Sequence, residues 1–355
     1  MNQHELANAI REQCGWCERL GSPLYHALLL RIADDIESSG LCWKVLEPHS
    51  SDPPRSLLPL RFLGAIHRLV LEGQLPDLAR FYPSVGGTLD PDQTWTAFLR
   101  ALEQHAQHLS LPATVQTNEV ARCCALLPGF LEIARSTPLP LRLLEIGCSA
   151  GLNLRWDRYR YETDRGAWGD GDSPVVFTNA FTNPPPEFDV PVSISERRGC
   201  DLNPIDPSTE DGRLTLLSFI WADQTERFHQ ISKAIDVARQ VPASIARAGA
   251  IEWLESELAT PRPGVATVVF HSIVMLYLDH DSRDAITRIL AEAGARATAE
   301  APLAWLSMEP GESETDVHLT LWPGAARRRI ATAGYHGRNV LVSSCDLQPL
   351  TEPRP

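Results

Sequence analysis

No apolar run in this sequence is long enough to cross a bilayer: the longest, Val265 to Leu278, is interrupted by His271 and Ser272. The stretch Met1 to Arg11 also lacks the basic-then-apolar order of a secretory leader, so a cytoplasmic location away from any membrane is expected. Cysteine is sparse, and eight in 355 residues do not make a disulfide scaffold. Cys14-Gly15-Trp16-Cys17 has no second CxxC and no preceding strand, which reads it as two cysteines of a first helix. No His, Cys or carboxylate cluster has metal-ligand spacing, so no metal is expected. Positive charge is in deficit, 32 Lys and Arg against 45 Asp and Glu, for a net charge of -13. That balance disfavours nucleic acid as a partner and leaves a small molecule as the expected substrate.

What the chain does have is a sharp turn between an apolar run and an amphipathic one, Leu143-Leu144-Glu145-Ile146-Gly147-Cys148-Ser149-Ala150-Gly151-Leu152-Asn153-Leu154. It reads as strand, small-residue loop, helix, a place where backbone N–H groups face a ligand above the sheet edge. A phosphate-binding P-loop is excluded, because no Gly-Lys-Ser/Thr ending follows. A dinucleotide fingerprint fits poorly, since the last glycine falls one residue early. Gly147-Cys148-Ser149-Ala150-Gly151 matches the G-x-S-x-G nucleophile elbow of α/β hydrolases. The same residues, with Glu145 two places ahead, resemble the E/D-x-G-x-G-x-G loop of class I S-adenosylmethionine-dependent methyltransferases, with Ser149 in the middle glycine place.

Chain order separates these two. Upstream of residue 140 the sequence reads helical, over Tyr25 to Ile36, Leu60 to Glu72 and Val120 to Ala134, with Thr117 as the N-cap of the last. Downstream, β-like runs cover Leu141 to Ile146, Val190 to Ser195, Ala243 to Ala248, Ala266 to Phe270, Leu303 to Met308, Val317 to Trp322 and Arg328 to Ala333. Helical stretches separate the first five, as parallel strands require, and the last are joined by short turns such as Pro323-Gly324. The glycine loop therefore follows strand one, its position in the methyltransferase fold. The expected architecture is an α/β, class I methyltransferase-like (Rossmann-like), mostly parallel sheet with an antiparallel C-terminal hairpin, preceded by an all-α domain. The boundaries are 1–138 for the helical domain and 139–355 for the α/β domain, with an insertion at about 159–186 that forms a loop or hairpin.

In such a sheet, ligands bind outside the carboxyl ends of the strands. Asp201 follows the second run, Gly249 the third, His271-Ser272 the fourth and Glu309 the fifth. Over its full length the chain resembles a bacterial family catalogued as domain of unknown function 2332, of methyltransferase-like fold. The residues that carry the resemblance are Val115-Gln116-Thr117-Asn118-Glu119, the Glu145 to Leu154 loop, Arg198-Gly199-Cys200-Asp201-Leu202-Asn203-Pro204, Phe270-His271-Ser272 and Tyr335-His336-Gly337-Arg338. In that family the third-strand segment reads Gly-Asp-Ala, whereas Ala248-Gly249-Ala250 lacks the acid.

The resemblance implies S-adenosylmethionine as cofactor, with Glu145, Gly147, Ser149, Gly151, Asn153 and Asp201 around it. His271 is the expected base or substrate-positioning residue, with Glu309 and His336 beside it. Two alternatives stand: a non-catalytic binding protein of the same fold, to which the missing acid at Gly249 points, and a serine hydrolase with Ser149 as nucleophile and His336 or His271 as base.

Overall fold

The computed structural model describes residues 1–53, 56–112, 114–185 and 189–343. Contacts divide the chain into two compact units, Met1–Thr117 with Asp206–Ser232, and Asn118–Ile205 with the residues from Lys233 on. Among the described residues no helix is long and apolar enough to cross a membrane.

The first unit is helical: α1 (Gln3–Arg19), α2 (Pro23–Glu37), α3 (Leu41–Leu46), α4 (Leu58–Leu71), α5 (Pro76–Ala79) and α6 (Pro91–His105). Its starts are written in the sequence. Asn2 and Glu5 form a capping box on α1, while Ser22 and Asp90, each followed by proline, cap α2 and α6. Inward stripes at helical spacing, Leu6 and Ile10 on α1, Leu28 and Ile32 on α2, Phe62 and Ile66 on α4, and Phe98 and Leu102 on α6, fuse into one core. Cys14 and Cys17 lie on the buried face of α1, Cys14 with its thiol 3.2 Å from His26 Nδ1. A further helix, α8 (Glu210–Ser218), belongs to this unit.

The second unit is a mixed α/β body. It opens with α7 (Arg122–Ser136) and β1 (Leu141–Ile146), followed by the short strands β2 (Arg160–Thr163), β3 (Gly166–Gly169), β4 (Val176–Thr178) and β5 (Phe181–Asn183), then β6 (Ile194–Asp201). After α8 (Glu210–Ser218) and α9 (Thr225–Gln240) come β7 (Ser244–Arg247), α10 (Ala250–Glu257), β8 (Ala266–Ser272), α11 (His280–Gly294), β9 (Leu303–Pro310), β10 (Thr315–Trp322), β11 (Ala326–Ala333) and β12 (Val340–Val342). The main sheet runs β5-β12-β11-β10-β9-β8-β1-β6-β7. The stretch β7-β6-β1-β8-β9 is parallel, and β9, β10, β11 and β12 then pair antiparallel. Strand order reverses at β1, whose six residues are all buried. Leu144, Ile146 and Val269 pack against Trp253 and Leu254 of α10 and Ile286 and Leu290 of α11.

The structure departs from the sequence reading in three places, and in a fourth, the insertion, it adds detail to the expected hairpin. The second strand lies at Ile194–Asp201 rather than 190–195, because its polar residues are paired: Glu196 with Arg142, Arg197 with Asp157, Arg198 with Glu257. The helix placed at Val120, with Thr117 as its cap, starts at Arg122. It packs on β9, β10 and β11. The segment after the glycine loop is a short 3-10 turn, Leu152–Arg158, kinked at Arg155, instead of an amphipathic α-helix. The insertion makes a β2-β3 hairpin to which β4 adds, while β5 joins the main sheet beside β12; Pro186 lies outside the described residues. Its Trp168 stacks at 5.0 Å on Trp156, which stacks at 4.2 Å on Phe130 of α7.

In the helical unit, His67 of α4 is wholly buried, with Nδ1 3.2 Å from the Ser218 carbonyl and Nε2 2.8 Å from the Ser84 hydroxyl. Burial lowers its pKa to about 4. The folded pKa lies below the unfolded value of about 6.5, so the unfolded chain binds the proton first and stability is lost as pH falls between them. The expected loss is about 3 kcal/mol from pH 7 down to about pH 4. Urea unfolding across that range should show a shallower pH dependence for His67→Gln than for the parent; equal slopes would remove His67 as the cause.

Candidate functional site

The carboxyl end of β1 opens into a loop whose backbone is left-handed at three alternate residues, Gly147 (φ +63°), Ser149 (φ +52°) and Gly151 (φ +66°). A Cβ on Gly147 would stand 2.7 Å from Val274 Cγ2, and one on Gly151 2.8 Å from Ile245 Cδ1, so both glycines serve close packing as well as the turn. The loop is pinned to the next strand. The Cys148 N–H donates to the Cys200 carbonyl at 3.1 Å, and the Ser149 N–H to Asp201 Oδ2 at 2.8 Å. Asp201 Oδ1 accepts from the Asn203 N–H at 2.8 Å, which fixes the turn that follows β6.

Two expected cofactor residues lie beneath the loop. Glu145 and Asn153 are 3% and 2% exposed. Burial pushes the Glu145 carboxyl well above the usual range, against the pull of Arg155, and the Asp201 charge adds to the rise. Asn153 Oδ1 accepts from the Cys123 thiol at 3.2 Å. Arg155 closes the loop from the far side, donating to the carbonyls of Gly151 at 2.6 Å and Val241 at 2.9 Å. Asn118 Oδ1 accepts the Leu152 N–H at 2.9 Å. Arg155 and Asn118 thus hold the backbone at the end of the loop, and Asp201, partly exposed, stands at its rim.

The second cluster joins β8 and β9. His271 pairs in register with Ser307, which places Trp305 and Glu309, two residues either side of Ser307, diagonally across from it. The Trp305 indole N–H, a donor only, lies 3.0 Å from His271 Nε2, and Nδ1 lies 2.7 Å from Glu309 Oε1. Nε2 is therefore the acceptor, and the Nδ1 proton is donated to Glu309. With both nitrogens engaged and the ring wholly buried, His271 presents no lone pair to a substrate in this arrangement; it orients Glu309. The same Oε1 accepts the N–H groups of Val274 at 2.9 Å and Met275 at 3.2 Å. Burial works to raise the Glu309 carboxyl, but the donors from His271, Val274 and Met275 hold it below its ordinary value. These three donors hold a turn that contains Ile273 at φ +56°, a β-branched residue in a region worth about 1–3 kcal/mol of strain.

His336 lies in the turn after β11, half-buried. Arg122 ties that turn to β8, donating to the Tyr335 and Ser272 carbonyls, each at 3.1 Å. Gly249 is the N-cap residue of α10, and Glu252 from the first helical turn folds back so that its Oε2 stands 2.6 Å from where a Gly249 Cβ would be. An acid three residues on therefore lies beside position 249. Ser149 is 5% exposed. Its left-handed backbone suits a nucleophile elbow, but His271, one of its two expected bases, is committed to Glu309 and Trp305. Among the described residues no three His, Cys, Asp or Glu side chains are grouped to hold a metal ion.

Sequence reasoning missed Trp305, Arg155, Ile273 and Glu252. The alternation Trp305, Ser307, Glu309 on one strand face was the available signal for the first. Ile273 had none, since nothing in its side chain favours a left-handed backbone.

The chain belongs to the bacterial family described as "Uncharacterized protein conserved in bacteria (DUF2332)", which matches residues 7–341. No curated protein and no solved structure matches it.

Gly147→Ala should destabilise the protein by about 2–4 kcal/mol, from left-handed strain plus the clash with Val274. Gly73→Ala, at φ +73° with nothing within 4 Å of the new Cβ, should cost only about 1 kcal/mol. Paired denaturant titrations check this; equal losses would mean that Val274 does not pack on the loop.

Proposed function

We propose that the carboxyl edge of β1, β6 and β8 binds S-adenosylmethionine and that the protein is a methyltransferase acting on a small molecule. The observation that carries this reading is the Ser149–Asp201 hydrogen bond at the point where strand order reverses. It sets a tight loop and a carboxylate side by side where open α/β sheets take their ligands. The fit rests on Asp201. Each of its oxygens accepts one backbone N–H and keeps a second lone pair, and the side chain is partly exposed. Ribose hydroxyls are the donors that such a carboxylate suits.

When bound, the cofactor supplies a methyl group on a sulfonium, which passes in line to a nucleophile. The protein's part is alignment more than acid–base chemistry. Asp201 holds the sugar and the 147–151 backbone approaches the ligand closely. Asn118 and Arg155 keep that backbone in shape, and His271 orients Glu309 at the rim of the acceptor side. An acidic chain of this kind suits a small acceptor better than a nucleic acid.

Thermal unfolding with S-adenosylhomocysteine at about a hundred times its dissociation constant should show roughly 2.7 kcal/mol of added stability. Asp201→Ala, measured against its own ligand-free baseline, should lose most of that gain. No shift in the parent protein would overturn the reading.

A further inference from the structure

Among the described residues, the two most exposed large apolar side chains are Leu202, at 69%, and Tyr277, at 49%. Both stand at the carboxyl edge of the parallel sheet, on the segments that follow β6 and β8, the two strands flanking β1. A single exposed apolar residue says little, but this pair brackets the glycine loop. Leu202 sits beside Asp201. Tyr277 ends the short 3-10 turn Met275–Tyr277, directly after the segment that Glu309 holds in its strained form. About half of the Tyr277 surface is exposed, and partial burial raises its phenol, with Arg122 pulling it down and the Glu309 charge pushing it up.

The strain at Ile273 is offset by a chain of contacts: Trp305 to His271, His271 to Glu309, Glu309 to Val274 and Met275, and Val274 on Gly147. What this fixed turn presents outward is a ring that loses little freedom on stacking. We infer that Tyr277 is the wall against which the acceptor's planar apolar group stacks, and that His271 and Glu309 are positioning residues acting through it. The acceptor class is then an aromatic or heteroaromatic small molecule. The word acceptor rests on the methyltransferase reading; the stacking site does not.

The test uses the full chain labelled with 3-fluorotyrosine, with indole as the probe. Of the six tyrosines, Tyr25, Tyr82, Tyr159 and Tyr161 are buried, and the Tyr277 fluorine signal is assigned by its loss in Tyr277→Phe. Indole should move that signal saturably, and Glu309→Gln should weaken the apparent affinity about tenfold while leaving the buried tyrosine signals in place. Trp305→Phe, which removes the indole donor to His271 and keeps an aromatic ring, should weaken it in the same direction. A Tyr277 signal that does not move in the parent protein, or that titrates in both variants with the parent's affinity, overturns the inference. An indole response without stabilisation by S-adenosylhomocysteine would keep this site and remove the methyltransferase reading. Stabilisation without the indole response would do the reverse.

Discussion

The contact on which the site depends is the hydrogen bond from the Ser149 N–H to Asp201, because it joins the end of one strand to the loop leaving its neighbour. A parallel sheet leaves its carboxyl-end loops to find their own partners, and here one short bond fixes both the small-residue turn and the acid beside it. The turn can be that tight only because Gly147 and Gly151 tolerate a left-handed backbone while Val274 and Ile245 close on them. Arg155, 3% exposed, donates to the Ala150 and Gly151 carbonyls where the loop enters the short 3-10 segment. It meets them with a guanidinium that burial makes less basic than usual.

A similar economy holds on the other side of β1. Glu309 gathers three donors on a single oxygen, and what they stabilise is a backbone conformation that isoleucine rarely adopts. Each hydrogen bond to an ionised carboxylate contributes about 1.5–3 kcal/mol, so two or three outweigh strain of about 1–3 kcal/mol. His271 belongs to this arrangement as the donor between Trp305 and Glu309. The two clusters meet where Val274 lies on Gly147, so the loop and the strained turn are parts of one rim.

How much of this the sequence discloses follows from what each residue needs. The β1 run and its loop are legible because a largely apolar strand followed by Gly147, Ser149 and Gly151 at alternate positions reads as strand and tight turn. Asp201 is legible for the same reason, although its strand is not: Glu196, Arg197 and Arg198 read as polar surface until their ion-pair partners, distant in sequence, are known. The 3-10 segment is hidden because helix propensity cannot register a guanidinium reaching back to the carbonyls of Ala150 and Gly151. His271 reads as a base because titratable residues at strand ends often are. Only the register with Ser307 reveals that both its nitrogens are taken.

In the proposed function the Gly147–Gly151 loop and the Asp201–Asn203 turn form one ligand-bearing edge. Site-resolved amide hydrogen exchange with and without S-adenosylhomocysteine examines that edge directly. Added protection should concentrate in residues 147–151 and 201–203, the segments that Asp201 ties together. Exchange left unchanged there, or protection confined to another part of the chain, would contradict it.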